Sequence, residues 1–160
     1  MEMKASVGSI LFLWSSVERE LTTQIDALDD GSKKIAAHTL SQKIARWEGL
    51  QSPASGERPE HDALLREVRE RLSQALDIRN RISHGLIGIR ADRHEYNGEA
   101  CLTTELNGVK RTHPHAELDH SMRVLSQLVW AIRSLSDAAM QNDPRKTESM
   151  YTGIRLNHLP

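Results

Sequence analysis

The sequence predicts a mainly α chain: a four-to-five-helix up-down bundle with a small β-meander inserted before the last long helix. Three observations predict it. Aliphatic residues recur at steps of three and four along four stretches, which is the helical period. Between the third and fourth stretches the pattern changes to period two, punctuated by Asn97-Gly98 and Asn107-Gly108. Finally, the composition is that of a soluble globular protein, with 38% apolar and 27% charged residues. A chain of 160 residues fits one domain and can bury well over half its surface. Aromatic residues are only 4%, so aliphatic side chains carry most of the packing.

The first helix is expected over about 5–28, on the stripe Val7, Ile10, Trp14, Val17, Leu21, Ile25 and Leu28. Asp29-Asp30-Gly31 ends it, and Ser32 can cap a second helix over about 33–50, with Ala37, Leu40, Ile44 and Trp47 on one face. Two prolines, a glycine and two serines between Gln51 and Pro59 predict a loop. The third helix starts near Glu60 on the stripe Leu65, Val68, Leu72, Ala75, Arg79 and Ile82. Gly85 stops it, because glycine accepts the left-handed conformation. Strands follow over Leu86 to about Asp92, Ala100 to Leu106, and Val109 to Thr112, so the meander occupies about 86–112. Pro114 suits the first position of a fourth helix over about 115–140. That helix carries one stripe of Leu118, Met122, Leu125, Val129 and Ile132, and a second of Val124, Leu128 and Leu135. A bundle core explains so broad a face, and so does a subunit interface. The helical domain is thus 1–140, and 141–160 is a C-terminal tail of undetermined structure.

The longest apolar run, Ile10 to Trp14, is far too short to span a bilayer. Met1-Glu2-Met3-Lys4 is not a clearly basic leader, and Glu18 and Glu20 follow the apolar run closely. A single cysteine, Cys101, cannot form an internal disulfide. These features predict a cytoplasmic protein without a membrane partner. The formal net charge of -1 excludes a whole-protein field that attracts nucleic acid. Locally, however, the segment from Arg66 to Arg93 holds seven arginines against four acids. A solvated helix with paired charges accounts for that excess, as does an anion-binding face.

Arg79 stands out because it occupies a stripe position whose neighbours are Leu, Val or Ala. A charge there is costly unless it is paired or faces a cleft. Asn80, Arg81, Ile82, Ser83 and His84 follow. Arg79 and Ser83, four apart, share a helix face, whereas His84 lies about 140° further round. It converges with Arg79 only because the helix ends there, or because the second residue comes from another subunit. Arginine offers a planar, permanently charged fork that suits phosphate. Histidine exchanges a proton near neutral pH. Together they can cleave RNA without a metal: His moves the proton of the ribose 2′-OH or of the leaving 5′-oxygen while Arg stabilises charge on the phosphate. No carboxylate pair or cysteine cluster lies close by in sequence, so neither a metal nor a cofactor is implied. The plain alternative is an Arg that ties down a helix end and a His that caps it.

The run Arg79-Asn80-Arg81-Ile82-Ser83-His84-Gly85 resembles the signature of the HEPN superfamily, the higher eukaryote and prokaryote nucleotide-binding domains: Arg, a polar residue that is often Asn, three further residues, then His. The resemblance covers the arrangement from about residue 5 to 140, and its specific part is the seven-residue motif. It implies a compact helical bundle and, for many members, a metal-independent endoribonuclease. Such domains commonly dimerise so that two motifs meet in one cleft, and they recur in toxin–antitoxin, abortive-infection and other defence systems. Carried over, Arg79 contacts the scissile phosphate, His84 is the acid/base and Asn80 orients or binds. The implied partners are RNA, a second copy of the chain, and a cognate antitoxin or regulatory protein. The alternative is a non-catalytic HEPN module that binds a partner protein or a nucleotide. Members paired with a nucleotidyltransferase antitoxin often carry Tyr two residues after the His; here that residue is Leu86, so silencing by modification of that tyrosine is not available. The meander is an elaboration on the plain bundle.

Arg81 and Ser83 within the motif, and Arg90, Lys110 and Arg111 on the meander, are the candidate substrate-binding residues. If the meander folds beside the motif, they hold RNA backbone through charge; otherwise they are ordinary surface charge. Arg93 belongs to the same set of basic residues. His113, His115 and His120 have the spacing of a possible zinc site, but Pro114 interrupts the pair, and solvated histidines at a helix start are expected instead. Trp14 and Trp47 are expected in the core, Trp130 outside the main stripe and at a candidate interface, Cys101 buried, and Glu18 and Glu20 exposed.

Overall fold

A computed structural model describes residues 2–29, 38–55, 58–91 and 98–157. The mainly α class holds. Among the described residues there are five helices, α1 (Glu2–Leu28), α2 (Leu40–Ser55), α3 (Pro59–Gly85), α4 (His115–Met140) and α5 (Pro144–Asn157). A single antiparallel sheet has the order β1 (Leu86–Ala91), β2 (Ala100–Leu106), β3 (Val109–Pro114). No described helix is long and apolar enough to cross a membrane.

Three boundaries differ from expectation, each for a local reason. α2 begins at Leu40, because Thr39 and Gln42 form a capping box. Thr39 Oγ1 accepts from the Gln42 amide at 3.3 Å, and Gln42 Oε1 accepts from the amides of His38 and Thr39 at 3.0 Å each. The helix then runs through the expected loop as far as Ser55. The expected Asp30-Gly31 stop, the Ser32 cap and residues 33–37 lie outside the described residues, as do Arg93 and Asn97. Second, Pro114 is the last residue of β3 rather than the first of the helix. Third, the tail contains a helix. Asp143 Oδ1 accepts from the Arg145 amide at 3.0 Å, Pro144 takes the first helical position, and Thr147, Tyr151 and Ile154 are buried at helical spacing.

The described residues form two compact units. The first comprises residues 1–14 and 73–125. Its core contains Ile10, Trp14, Ala75, Ile82, Cys101, Leu102 and Leu118, and the Trp14 indole donates to the Ala75 carbonyl at 3.1 Å. Asn107 and Gly108, with φ of 52° and 76°, make the β2–β3 turn that their sequence signals. β1 carries a bulge at Ile87, because Leu86 pairs with Thr104 and Gly88 with Thr103. Gly85 does not have a positive φ; its requirement is space. A Cβ there would stand 2.4 Å from the Glu105 carbonyl oxygen, so glycine lets the end of α3 touch the backbone of β2.

The second unit comprises residues 15–72 and 126–160. Val17, Leu21, Trp47, Leu64, Val68, Leu72, Leu128, Ile132, Leu135 and Ile154 are buried in it. Leu128 and Leu135, two members of the second α4 stripe, are therefore satisfied within the chain, and that stripe no longer argues for a subunit interface. Glu20, expected to be exposed, is buried and held by Arg133 through two bonds of 2.9 and 2.7 Å. That partner holds its carboxyl below the usual carboxylate range, against the opposing effect of burial.

Candidate active site

α3 delivers the motif. Its stripe is buried from Leu65 to Ala75 and again at Ile82, while Arg79, in the same stripe, is only half-buried. A half-buried arginine can pack its aliphatic stem and keep its guanidinium in water, which lowers the cost of a charge at a core-facing position. Arg79 Nη1 donates to Asn80 Oδ1 at 3.1 Å and lies 3.4 Å from His84 Nε2. The two residues that were expected to diverge by about 140° are thus neighbours in one chain, because the long arginine side chain spans the last turn. With Arg79 as the donor, His84 Nε2 is the acceptor and its proton resides on Nδ1. His84 and Ser83 are exposed.

The other basic candidates divide into two groups. Arg81 is enclosed: its Nε bonds Asp77 Oδ2 at 2.9 Å and its Nη1 donates to the Val109 carbonyl at 3.2 Å. Arg111 bonds Glu117 at 2.8 Å and lies 3.5 Å from the same Asp77 oxygen. Both therefore tie the sheet to the helices around it. Arg90 and Lys110 make no ion pair among the described residues. They border a cavity of about 110 Å³ together with Ile87, Gly88, Ile89 and Thr103.

The histidine cluster is not the solvated set that was expected. His113 is fully buried, with Nε2 3.1 Å from Thr104 Oγ1. Its Nδ1 stands 3.2 Å from Glu117 Oε1, within ion-pair distance but not aligned for a hydrogen bond. His115 pairs with Ser6 and Asp119, and His120 is exposed. Among the described residues no group of three or more His, Cys, Asp or Glu side chains is placed to hold a metal ion.

Two polar features escaped the sequence reading. One is Thr103, on the cavity just described. The other is a network in the second unit. His61, fully buried, donates from Nε2 to Gln51 Oε1 at 2.9 Å and accepts from the Tyr151 hydroxyl at 3.1 Å. Gln51 Nε2 and the Trp47 indole both donate to Ser136 Oγ, at 3.2 and 2.9 Å, and Ser136 donates to the Ile132 carbonyl at 2.8 Å. Burial depresses the His61 pKa, with a further contribution from Arg58 opposed by Asp62. Burial raises that of Tyr151. A cavity of about 300 Å³ in this unit is bordered by Arg58, Glu60, Glu148 and Tyr151. Arg58 is committed to the carbonyls of Ala138 and Gln141, and the Tyr151 proton to His61, so neither is poised for chemistry.

Neither a protein-family model, nor a curated protein, nor a solved structure matches the chain.

Proposed function

We propose that the chain is a metal-independent endoribonuclease of HEPN type, cytoplasmic, acting as a homodimer in defence or opposite an antitoxin. The observation that carries the reading is the approach of Arg79 Nη1 to His84 Nε2, 3.4 Å, at an exposed helix end. A guanidinium and an imidazole in contact are the two groups that phosphodiester transfer to a neighbouring hydroxyl requires. When Arg79 turns onto a non-bridging phosphate oxygen, the Nε2 lone pair is released. His84 then takes the 2′-OH proton, the 2′-oxygen attacks phosphorus, and the P–O5′ bond breaks. The leaving 5′-oxygen takes a proton from water, and His84 gives its proton to the hydroxide that remains, which restores the free imidazole. The products are a 2′,3′-cyclic phosphate and a 5′-OH. Asn80, hydrogen-bonded to Arg79, orients the guanidinium.

The test is incubation of single-stranded RNA with the full chain in chelator. RNA should be cut to cyclic-phosphate ends, and DNA, which lacks the 2′-OH, should survive. An intact RNA in every sequence tried favours the binding-module alternative over catalysis.

A further inference from the structure

We propose that the cavity above Gly88 and Thr103 is a phosphate subsite that holds a non-scissile phosphate of the RNA strand. Thr103 is 2% exposed and borders a cavity of about 110 Å³, and its buried Oγ1 has no hydrogen-bond partner among the described residues. A buried hydroxyl without a partner costs free energy, so such a group calls for an explanation. A rotation about χ1 that turns the hydroxyl onto an acceptor in the cavity supplies it. The charge on either side specifies what kind of acceptor. Arg90 on β1 and Lys110 on β3 border the same cavity, both exposed and neither ion-paired among the described residues. Glu105 stands opposite Lys110 in the register, yet no ion pair forms between them. Two cations and a hydroxyl around a small cavity match a phosphate oxygen set.

The room comes from the backbone. Gly88 pairs with Thr103, and a Cβ at Gly88 would meet nothing within 4 Å. The bulge at Ile87 lies next to Gly88 and bends the strand there. Gly88 is four residues beyond His84, so chain geometry keeps the two within about 14 Å. A short stretch of strand therefore reaches from one to the other. That link rests on the endoribonuclease reading; binding of the phosphate does not.

The experiment measures binding and cleavage separately. Binding of a labelled single-stranded RNA 12-mer to the His84→Ala chain is followed by fluorescence anisotropy over a range of salt. Arg90→Glu with Lys110→Glu should weaken it at least about ten-fold and lower the salt slope by roughly 0.7 per lost contact. Gly88→Ala, whose Cβ meets nothing within 4 Å, should weaken it with little change in Tm. Thr103→Val should also weaken binding, about three-fold, while Tm stays level or rises because an unsatisfied hydroxyl is gone. Unchanged RNA affinity in all three, or no RNA binding by the His84→Ala chain, overturns the subsite. AMP binding to the same variants is measured in parallel, and its loss with RNA affinity unchanged assigns the cavity to a free nucleotide and overturns the strand reading. A parent chain that fails to cut RNA yet binds it through these residues removes the catalytic proposal and leaves the subsite standing.

Discussion

At the scale of single residues, Arg79 and His84 were legible because each breaks a local rule. Arg79 interrupts an aliphatic stripe, and His84 precedes the glycine that ends the helix. If they act as proposed, His84→Ala should lower the cleavage rate about 10²–10⁴-fold. Arg79→Ala should cripple it comparably, and Arg79→Lys should rescue only in part, since a point charge does not reproduce the planar fork. Single-turnover rates of folded variants check this, and a double variant that cleaves as fast as the parent would assign the activity elsewhere. Gly85 was legible as a special position but for the wrong reason. Its backbone is not left-handed; the Glu105 carbonyl lies where a Cβ would go. Gly85→Ala should therefore cost about 1–3 kcal/mol, the range for overpacking against an unyielding backbone. Denaturant unfolding that places the variant within a few tenths of the parent would show that β2 yields. Thr103 was not legible, because a threonine in a strand is ordinary and its missing partner exists only in three dimensions.

At the scale of elements, periodicity located α1, α3 and α4 well, since each has a long run of one period, and the Asn-Gly pairs on either side located β2. α5 was missed because it is short and only three buried positions, Thr147, Tyr151 and Ile154, carry its face. Those positions acquire meaning from α2 and α3. The α3 stripe of Leu65, Val68, Leu72 and Ala75, continued one turn back, lands on His61, a residue that periodicity alone files as polar. His61 links Gln51 of α2 to Tyr151 of α5, and the network suits its neutral form, with Nε2 donating and Nδ1 accepting. Arg58, Asp62, Tyr151 and, through Tyr151, Glu60 are the charged or titratable groups that bear on it. Burial, the largest cause, sets the folded pKa below the ordinary 6.5. The unfolded chain then binds the proton more readily. Stability should be complete above about pH 6.5 and fall as the pH drops below it, until the folded-state pKa is passed. Tm measured from pH 7.5 to 5 should decline more steeply for the parent than for His61→Gln, whatever the absolute stability of that variant. Parallel profiles would mean that His61 does not titrate on unfolding.

At the scale of the whole molecule, the net charge of -1 makes any RNA affinity a local property, concentrated on unpaired cations rather than spread over the surface. Arg81 and Arg111 are neutralised by Asp77 and Glu117, whereas Arg90 and Lys110 have no ion-pair partner among the described residues. The local excess of arginine read from the sequence is therefore concentrated on fewer side chains in the folded chain, because sequence counts charges without pairing them. Assembly is affected in the same way. Two features had suggested that a second copy completes the site: a double apolar stripe on α4, and a motif whose residues point apart. Leu128 and Leu135 are buried within the chain, and Arg79 meets His84 within the chain. A homodimer, if it forms as proposed, brings together two sites that are each whole. This has a consequence for mixed dimers. When Arg79→Ala and His84→Ala chains are unfolded together, refolded and assayed on RNA, every site lacks one group, and cleavage should remain at the level of the separate variants. Sites shared between chains would behave differently: a mixed dimer would regain one intact Arg–His pair, and a substantial fraction of parental activity would return. Recovery of that kind would overturn the within-chain pairing of Arg79 and His84, and sedimentation of the same mixture would establish whether dimers were present to be tested.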